Sequence, residues 1–409
     1  MRLVTSAQDR VDPDSGASTG SGLDGGDVFE IVAARRKMRR RARRLLAVAL
    51  LAGVVTVGWS LGTALVRGSD PVNVKFVEWV RAHGGNGIVN VIERTWYQHH
   101  QPSKGGAPKG GIPKVPKPSG RETPATAVAG TPTTVSYTPP PINAIASPAL
   151  AGEGVWQPTG RLVRGRLAVY ETFLRPDRVH TSLLAGVAWL DRRALRAVIY
   201  NGNDQPGGSG WQHGDHVPPS ETPGLVAAFN GGFRLDMARG GYQSEGRIVR
   251  PFVTGRATFG VRADGTVDLG VWGRDLQPTT PYASAFQSLD LIVDGANDVP
   301  GLSRDDHLRW GQTLGGRVFV WRSGVGIDAR GNLVYAAGVL DIVSLADVLR
   351  AAGAVRAMEL DINSYWVSFD TFLPGTNGPA PTKLLPNMQR SANRYLVPGT
   401  RYFVAMFAR

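Results

Sequence analysis

The chain has no cysteine among its 409 residues, which excludes disulfides, thiolate catalysis and cysteine-type zinc sites. That absence fits an exported domain that does without disulfides, but does not demonstrate export. No Gly-rich phosphate loop and no G-x-S-x-G nucleophile elbow joins a strand to a helix, so nucleotide-phosphate cradling and the serine-hydrolase elbow have no support. The C-terminal part also lacks a strong excess of one charge. From Leu150 onward 27 Lys and Arg stand against 23 Asp and Glu, a net of +4, whereas the first 149 residues hold 19 against 10, a net of +9. The basic pI is therefore an N-terminal property. A nucleic-acid partner is not expected, because that reading wants a basic face on the folded part.

Five segments follow from the patterning. Residues 1–44 read as a disordered, basic cytoplasmic tail, rich in Gly, Ser and Asp before the run RRKMRRRARR at Arg35 to Arg44. Residues 45–66 carry no charge over 22 positions, and roughly 20 apolar residues suffice to cross a bilayer core. The basic cluster on one flank sets the N-terminus in the cytoplasm. No A-x-A site follows the apolar run, so a retained signal anchor is expected. Residues 67–100 show helical spacing of Val74, Val77 and Val80, then Ile88, Val91 and Ile92, around Gly84-Gly85. They are expected either on the outer membrane surface or packed on the main domain. The adjacent His99-His100 pair is not read as a metal site. Residues 101–150 are a Pro/Gly-rich linker, expected to be semi-extended and solvated.

Residues 151–409 form the large domain. Strands are expected at Leu162 to Leu174, Thr181 to Leu190 and Leu195 to Tyr200. The polar stretch from Asn201 to Gly224 is long enough to be a functional loop, and it carries His213-Gly214-Asp215-His216. A substrate contact through His213 is the favoured functional reading, and a metal pair is weaker. LVAAFNGGF at Leu225 to Phe233 reads as a buried strand breaking into Asn230-Gly231-Gly232, where the backbone could approach a ligand closely. A hairpin turns at Arg330-Gly331-Asn332, with Arg322 where the apolar run breaks into glycines. A helix is expected to open at Ser344, with Asp347 three residues on, and to stop at Gly353. The order predicts an α+β fold: a mixed, mainly antiparallel sheet with few helices, preceded by one transmembrane helix and a disordered linker.

The most informative stretch is AMELDINSYW, Ala357 to Trp366. An apolar lead-in delivers Glu359 and Asp361, and a polar corner with two aromatics follows. Its plain reading is a strand end at which Asp361 caps a turn. Its functional reading is a rigid element presenting carboxylate, amide and hydroxyl groups.

Taken in order, AAFNGGF, LDLIVDG, WRSGVGIDARGNLVY, SLADVLRAAGA and AMELD resemble the phosphodiester glycosidase family over roughly Leu225 to Thr371. The resemblance implies hydrolysis of a sugar joined through its anomeric oxygen to a phosphodiester. It puts Asn230 and Gly231 in the site, Arg322 at the family's R-x-x-x-G arginine, and Asp361 at the aspartate of its L-D-G-G-G-S. Here Ile362-Asn363-Ser364 stand in place of the three glycines.

The chemistry itself calls for a guanidinium on the phosphate, from Arg322 or else Arg234 or Arg256. It also calls for two carboxylates around an oxocarbenium-like state. Glu359 and Asp361 are not expected to serve together, so Asp361 is assigned Asp236 as partner, with Glu245 and Asp294 in reserve. The expected catalytic set is Asp361, Asp236 and Arg322. The expected substrate contacts are Asn230, Gly231, Gly232, Asn363, Ser364, His213 and Trp366. No metal ligand or cofactor is predicted, and a divalent cation is left open. The expected function is a membrane-anchored extracytoplasmic hydrolase acting on a sugar-phosphate diester of envelope polysaccharide or glycolipid. The alternative is a non-catalytic polysaccharide-binding or assembly protein that uses Trp211 and Trp366 for stacking.

Overall fold

A computed structural model describes residues 25–66, 70–85, 87–89, 91, 92, 95, 102–118, 137–304, 309–311, 313, 318–376 and 378–409. The expected disorder of residues 1–24, His99-His100 and residues 119–136 of the linker lie outside them. One helix, Gly25–Val66, takes in the basic run and the apolar run together, so the tail expected to be disordered is helical from Gly25 onward. Its Arg35–Val66 part is long and apolar enough to cross a membrane, as an anchor or a signal sequence. The chain divides into two units, Met1–Thr63 and Ala64–Arg409.

The second unit is built on three antiparallel sheets. The largest has eight strands, with Ala185–Leu190, Leu333–Leu340, Val320–Asp328, Ala354–Asp361 and Leu291–Asp294 side by side at its centre. A second, of five strands, places Phe369–Gly375, Leu225–Asn230, Phe403–Ala408 and Leu195–Tyr200 in succession. The third is a five-stranded sheet centred on Tyr282–Gln287. Every pair of neighbouring strands described is antiparallel, as the hairpin-rich sequence requires.

Val320–Asp328 is buried along nearly its whole length, because both of its faces are covered. On one face the helix Ile342–Ala351 lays Leu345 and Leu349 against Gly324, where a Cβ would come within 3.0 Å of Leu349. The opposite face meets the Leu225–Asn230 sheet through an aromatic contact. The Tyr335 ring lies 5.4 Å from Phe229 and 5.1 Å from Phe369. The helix begins two residues earlier than expected, and its cap is Asp341, whose Oδ1 accepts from the Ser344 amide at 2.7 Å.

The helix Val72–Ala82 is held on the main domain: Val74 is buried, Asp70 accepts from the Ser391 amide, and Arg390 pairs with Asp70 and Glu78. The described parts of the linker are held there too, contrary to the solvated extension expected of them. Gly105 donates to Val179 O at 2.7 Å, Trp156 Nε1 to Pro140 O at 2.9 Å, and Gln157 Nε2 to Pro113 O at 2.9 Å. Ile112, Val115 and Ile145 add apolar contacts with the core. Prolines stiffen such a strand and leave its carbonyls free to accept, so a few well-spaced apolar residues are enough to dock it.

Among the described residues, the core holds an acid with no partner at either oxygen. Glu171, on strand Val169–Leu174, is 1% exposed, and neither carboxyl oxygen has a hydrogen-bond partner among the described residues. Burial pushes its pKa from 4.5 up to about 8. Between those values the unfolded chain has released this proton and the folded chain retains it, so stability falls as pH rises through the window. Each tenfold difference in proton affinity between the two states is worth roughly 1.4 kcal/mol. The substitution Glu171→Gln should therefore flatten the decline in Tm between pH 4.5 and about 8. Thermal unfolding curves that stay parallel for the two proteins would contradict this placement.

Candidate active site

Two strand ends meet at the edge of the inter-sheet core. Leu225–Asn230 ends in Asn230-Gly231-Gly232, and Ala354–Asp361 ends at Asp361. The closing strand sets Phe403 opposite Asn230, which brings Arg401 to the same place. Asp361 Oδ2 accepts from Arg401 Nη2 at 2.6 Å, and the same nitrogen donates to Gly232 O at 2.8 Å. Asp361 Oδ1 accepts from the Asn363 amide at 2.8 Å. Asn230 Nδ2 donates to Ser323 Oγ at 3.0 Å, while its Oδ1 accepts from Tyr335 OH at 2.9 Å and the Ser368 amide at 3.2 Å. Asn230, Asp361, Ser323 and Arg401 are all buried. Three of the expected residues, Asn230, Gly232 and Asp361, are thus brought together. Arg401 was not singled out from the sequence, and its only signal is a charge opening an otherwise apolar closing segment.

Arg322 points elsewhere. Residues two apart on a regular strand share a face, which would set Glu359 and Asp361 side by side. A register shift intervenes: Asp361 lies opposite Ser323 and Glu359 opposite Gly324, leaving Leu360 as the extra residue of a bulge. Ser323 and Gly324 face opposite sides, so the two acids do as well. Asp361 joins Ser323 and Asn230 on the inter-sheet side. Glu359 joins Arg322 on the helix side, where Arg322 Nη1 donates to Glu359 Oε1 at 2.6 Å and Nε donates to Leu340 O at 3.1 Å. The separation of the two acids was expected from strand alternation, and that reason is corrected: alternation puts residues two apart on one face, and it is the bulge that turns them to opposite faces. The expectation that Arg322 serves a phosphate is corrected, since its guanidinium lies in a buried ion pair. Burial raises the Glu359 pKa to about 7, against the pull of Arg322.

The remaining candidates occupy structural posts. Asp236 is exposed and bonded to Arg234, which also reaches Asp204; it is not brought to Asp361, whose partner is Arg401. Glu245 accepts from the Gln212 and His213 amides, at 2.7 and 2.8 Å, and from the His213 ring, so His213 tethers its loop. Asp294 lies in a surface network with Arg274 and Arg356. Arg256 is paired with Asp290. Gly231 is needed for packing, because a Cβ there would stand 2.4 Å from the Tyr402 ring.

Asn363 builds the corner itself. Its Oδ1 accepts from the Tyr365 amide at 2.9 Å and its carbonyl from the Trp366 amide at 2.8 Å. Ser364 is half-buried beside it. The Trp366 ring carries three guanidiniums, Arg390, Arg394 and Arg401, at 4.8, 5.1 and 4.8 Å from its centroid. Trp211 is likewise covered by Arg247 at 4.1 Å. The stacking surfaces expected for sugars are thus occupied by arginine. Among the described residues, no group of three or more His, Asp or Glu is placed to hold a metal ion.

No family model and no curated protein matches this chain. Among solved structures it is similar to the catalytic domain of zebrafish N-acetylglucosamine-1-phosphodiester alpha-N-acetylglucosaminidase, auto-inhibited by its pro-peptide. That match has 17% identity and a TM-score of 0.40, and covers 62% of this chain and 87% of that one. A hypothetical protein from Synechocystis matches at 11% identity and a TM-score of 0.38, over 62% of this chain and 64% of that one. At such values a functional reading has to come from this chain's own residues.

The two faces of the bulge make separable predictions. Replacing Arg322 with Met removes the pull that holds the Glu359 pKa down and leaves that acid buried without its partner, ionised or forced to take up a proton, and should cost about 3–5 kcal/mol. The double variant Arg322→Met/Glu359→Leu should recover most of that loss in urea denaturation. A single variant within about 1 kcal/mol of the parent would sink the structural assignment.

Proposed function

We propose that the chain is a membrane-anchored, extracytoplasmic hydrolase that cleaves the glycosidic bond of a sugar-phosphate diester in envelope polysaccharide or glycolipid. The observation that carries this reading is the convergence of Asp361, the Asn230–Gly232 turn and Arg401, contributed by three strand ends. It is supported by the order of motifs between Leu225 and Thr371. Asp361 is the carboxylate assigned to stabilise the oxocarbenium-like state. A phosphodiester leaves readily and lessens the need for a strong general acid. Arg401 takes the role first given to Arg322: its described hydrogen bonds use only Nη2, which leaves other N–H groups for a phosphate oxygen. Ser364 and the half-buried corner at residues 362–366 form the solvent side through which substrate would approach.

A second reading, a non-catalytic polysaccharide-binding or assembly protein, is favoured by one observation. Both Asp361 oxygens are already engaged, one by Arg401 and one by the Asn363 amide. The full chain in detergent, assayed on a nitrophenyl sugar-phosphodiester with EDTA and with magnesium, separates the two. Turnover by the parent that drops roughly 100-fold or more in Asp361→Asn, beyond any change in folded fraction by circular dichroism, supports the hydrolase. A variant with the parent's rate removes Asp361 from the reaction. An inactive parent that still retains wall polymer establishes the second reading instead.

A further inference from the structure

We propose a second site, lined by none of the residues around Asp361, that binds a phosphate ester with a small polar body. It is a cavity of about 520 Å³ lined by Tyr137, Arg192, Arg193, Arg330 and Asn332. Two turns form it: Asp191–Arg193, which joins the strands Ala185–Leu190 and Leu195–Tyr200, and Asp328–Asn332, at the tip of the hairpin after Val320–Asp328.

Both turns are braced from within. Asp328 Oδ1 accepts from the Arg330 and Asn332 amides, each at 2.8 Å, and its Oδ2 accepts from Asn332 Nδ2 at 2.9 Å and Trp189 Nε1 at 3.2 Å. The Arg193 amide donates to Asp191 Oδ1 at 2.9 Å, and the Arg192 amide ties the two turns together through Asn332 Oδ1 at 3.3 Å. Gly331 has φ +79°, and a Cβ on it would stand 3.2 Å from Arg192 Cδ, so the glycine lets the Arg192 side chain lie across the hairpin tip. The Arg330 guanidinium sits 4.1 Å over the Tyr137 ring. Two exposed arginines are thereby positioned before any ligand arrives, which lowers the entropy lost on binding.

Their charge is unspent. Arg193 has Asp191 at 3.3 Å, but among the described residues no carboxylate lies within 4 Å of the Arg192 or Arg330 guanidinium. No acid lines the cavity, and the oxygens of neighbouring Asp328 are committed to the hairpin turn. Guanidinium forks match phosphate oxygens in pairs. The volume falls within the range of about 300–1,000 Å³ typical of small-molecule sites, which is more than a bare ion fills, and its concavity suits a discrete ligand better than a flat lipid surface. The Tyr137 face is taken by Arg330, so the body attached to the phosphate is polar rather than aromatic.

Titration calorimetry on the full chain in non-ionic detergent, with glucose 1-phosphate as the probe, tests the proposal. Binding should weaken as salt is raised, and glucose alone should not bind. The double variant Arg192→Gln/Arg330→Gln should lose at least about tenfold in affinity, with its melting curve unchanged. Arg178→Gln, which removes an exposed charge from another cleft, should bind as the parent does. Asp361→Asn/Arg401→Gln, which removes the guanidinium proposed for the other site, should keep the binding that the Arg192/Arg330 double variant loses, so this result stands or falls apart from the hydrolase reading. Unchanged affinity in the double variant, inorganic phosphate binding as tightly as the ester, or binding only to anionic phosphatidylglycerol vesicles would each overturn it.

Discussion

One extra residue, Leu360, sets which way the two acids of this domain's central strand face. Two central strands pair with Asp361 opposite Ser323 and Glu359 opposite Gly324, so two carboxylates two positions apart look out on opposite faces of one sheet. Without the bulge both would enter the same layer, and one guanidinium could not serve both. With it, the helix side holds a closed Arg322–Glu359 pair. The inter-sheet side holds Asp361 within reach of Arg401, Gly232 and Asn363. Bulges re-aim side chains at strand ends, and the strand passes directly from this one into the corner at residues 362–366.

The domain buries arginine repeatedly and gives it carboxylates from distant parts of the chain. Arg175 meets Glu153, Arg322 meets Glu359, Arg401 meets Asp361, and Arg390 meets Asp70. Such pairs add little net stability over apolar packing, because desolvation offsets most of their attraction. They penalise any other arrangement heavily, since a misplaced partner leaves a buried charge alone. Glu171 and Asp370 follow the other course: both are fully buried with raised pKa, the second well above its usual value, and burial is the dominant cause in each. A chain without disulfides is thus tied together by salt bridges and by sheet pairing. Arg390 extends this to residues before the linker by holding the helix Val72–Ala82 through Asp70 and Glu78.

What sequence alone determined was local or periodic. Alternation, glycine turns and a charge-free run of 22 residues were enough for the hairpin at Arg330-Gly331-Asn332, the apolar N-terminal helix, the antiparallel α+β class and the strands, except that those expected from Leu162 and Thr181 start only at Val169 and Ala185, after turns. That Asn230, Gly232 and Asp361 each stand where an apolar strand ends was also legible, and their grouping was expected from the resemblance alone. Tertiary structure alone decided which partners those residues take. Arg401 lies 40 positions from Asp361, and only the pairing of the closing strand against Asn230 brings it there. Which acid meets Arg322 depended on a one-residue register shift that leaves no compositional trace. Asp236, next to the turn in sequence, remained in solvent because a one-turn helix aims it outward. Docking of the linker was illegible for a related reason. Its few apolar residues mean nothing until a surface exists to receive them.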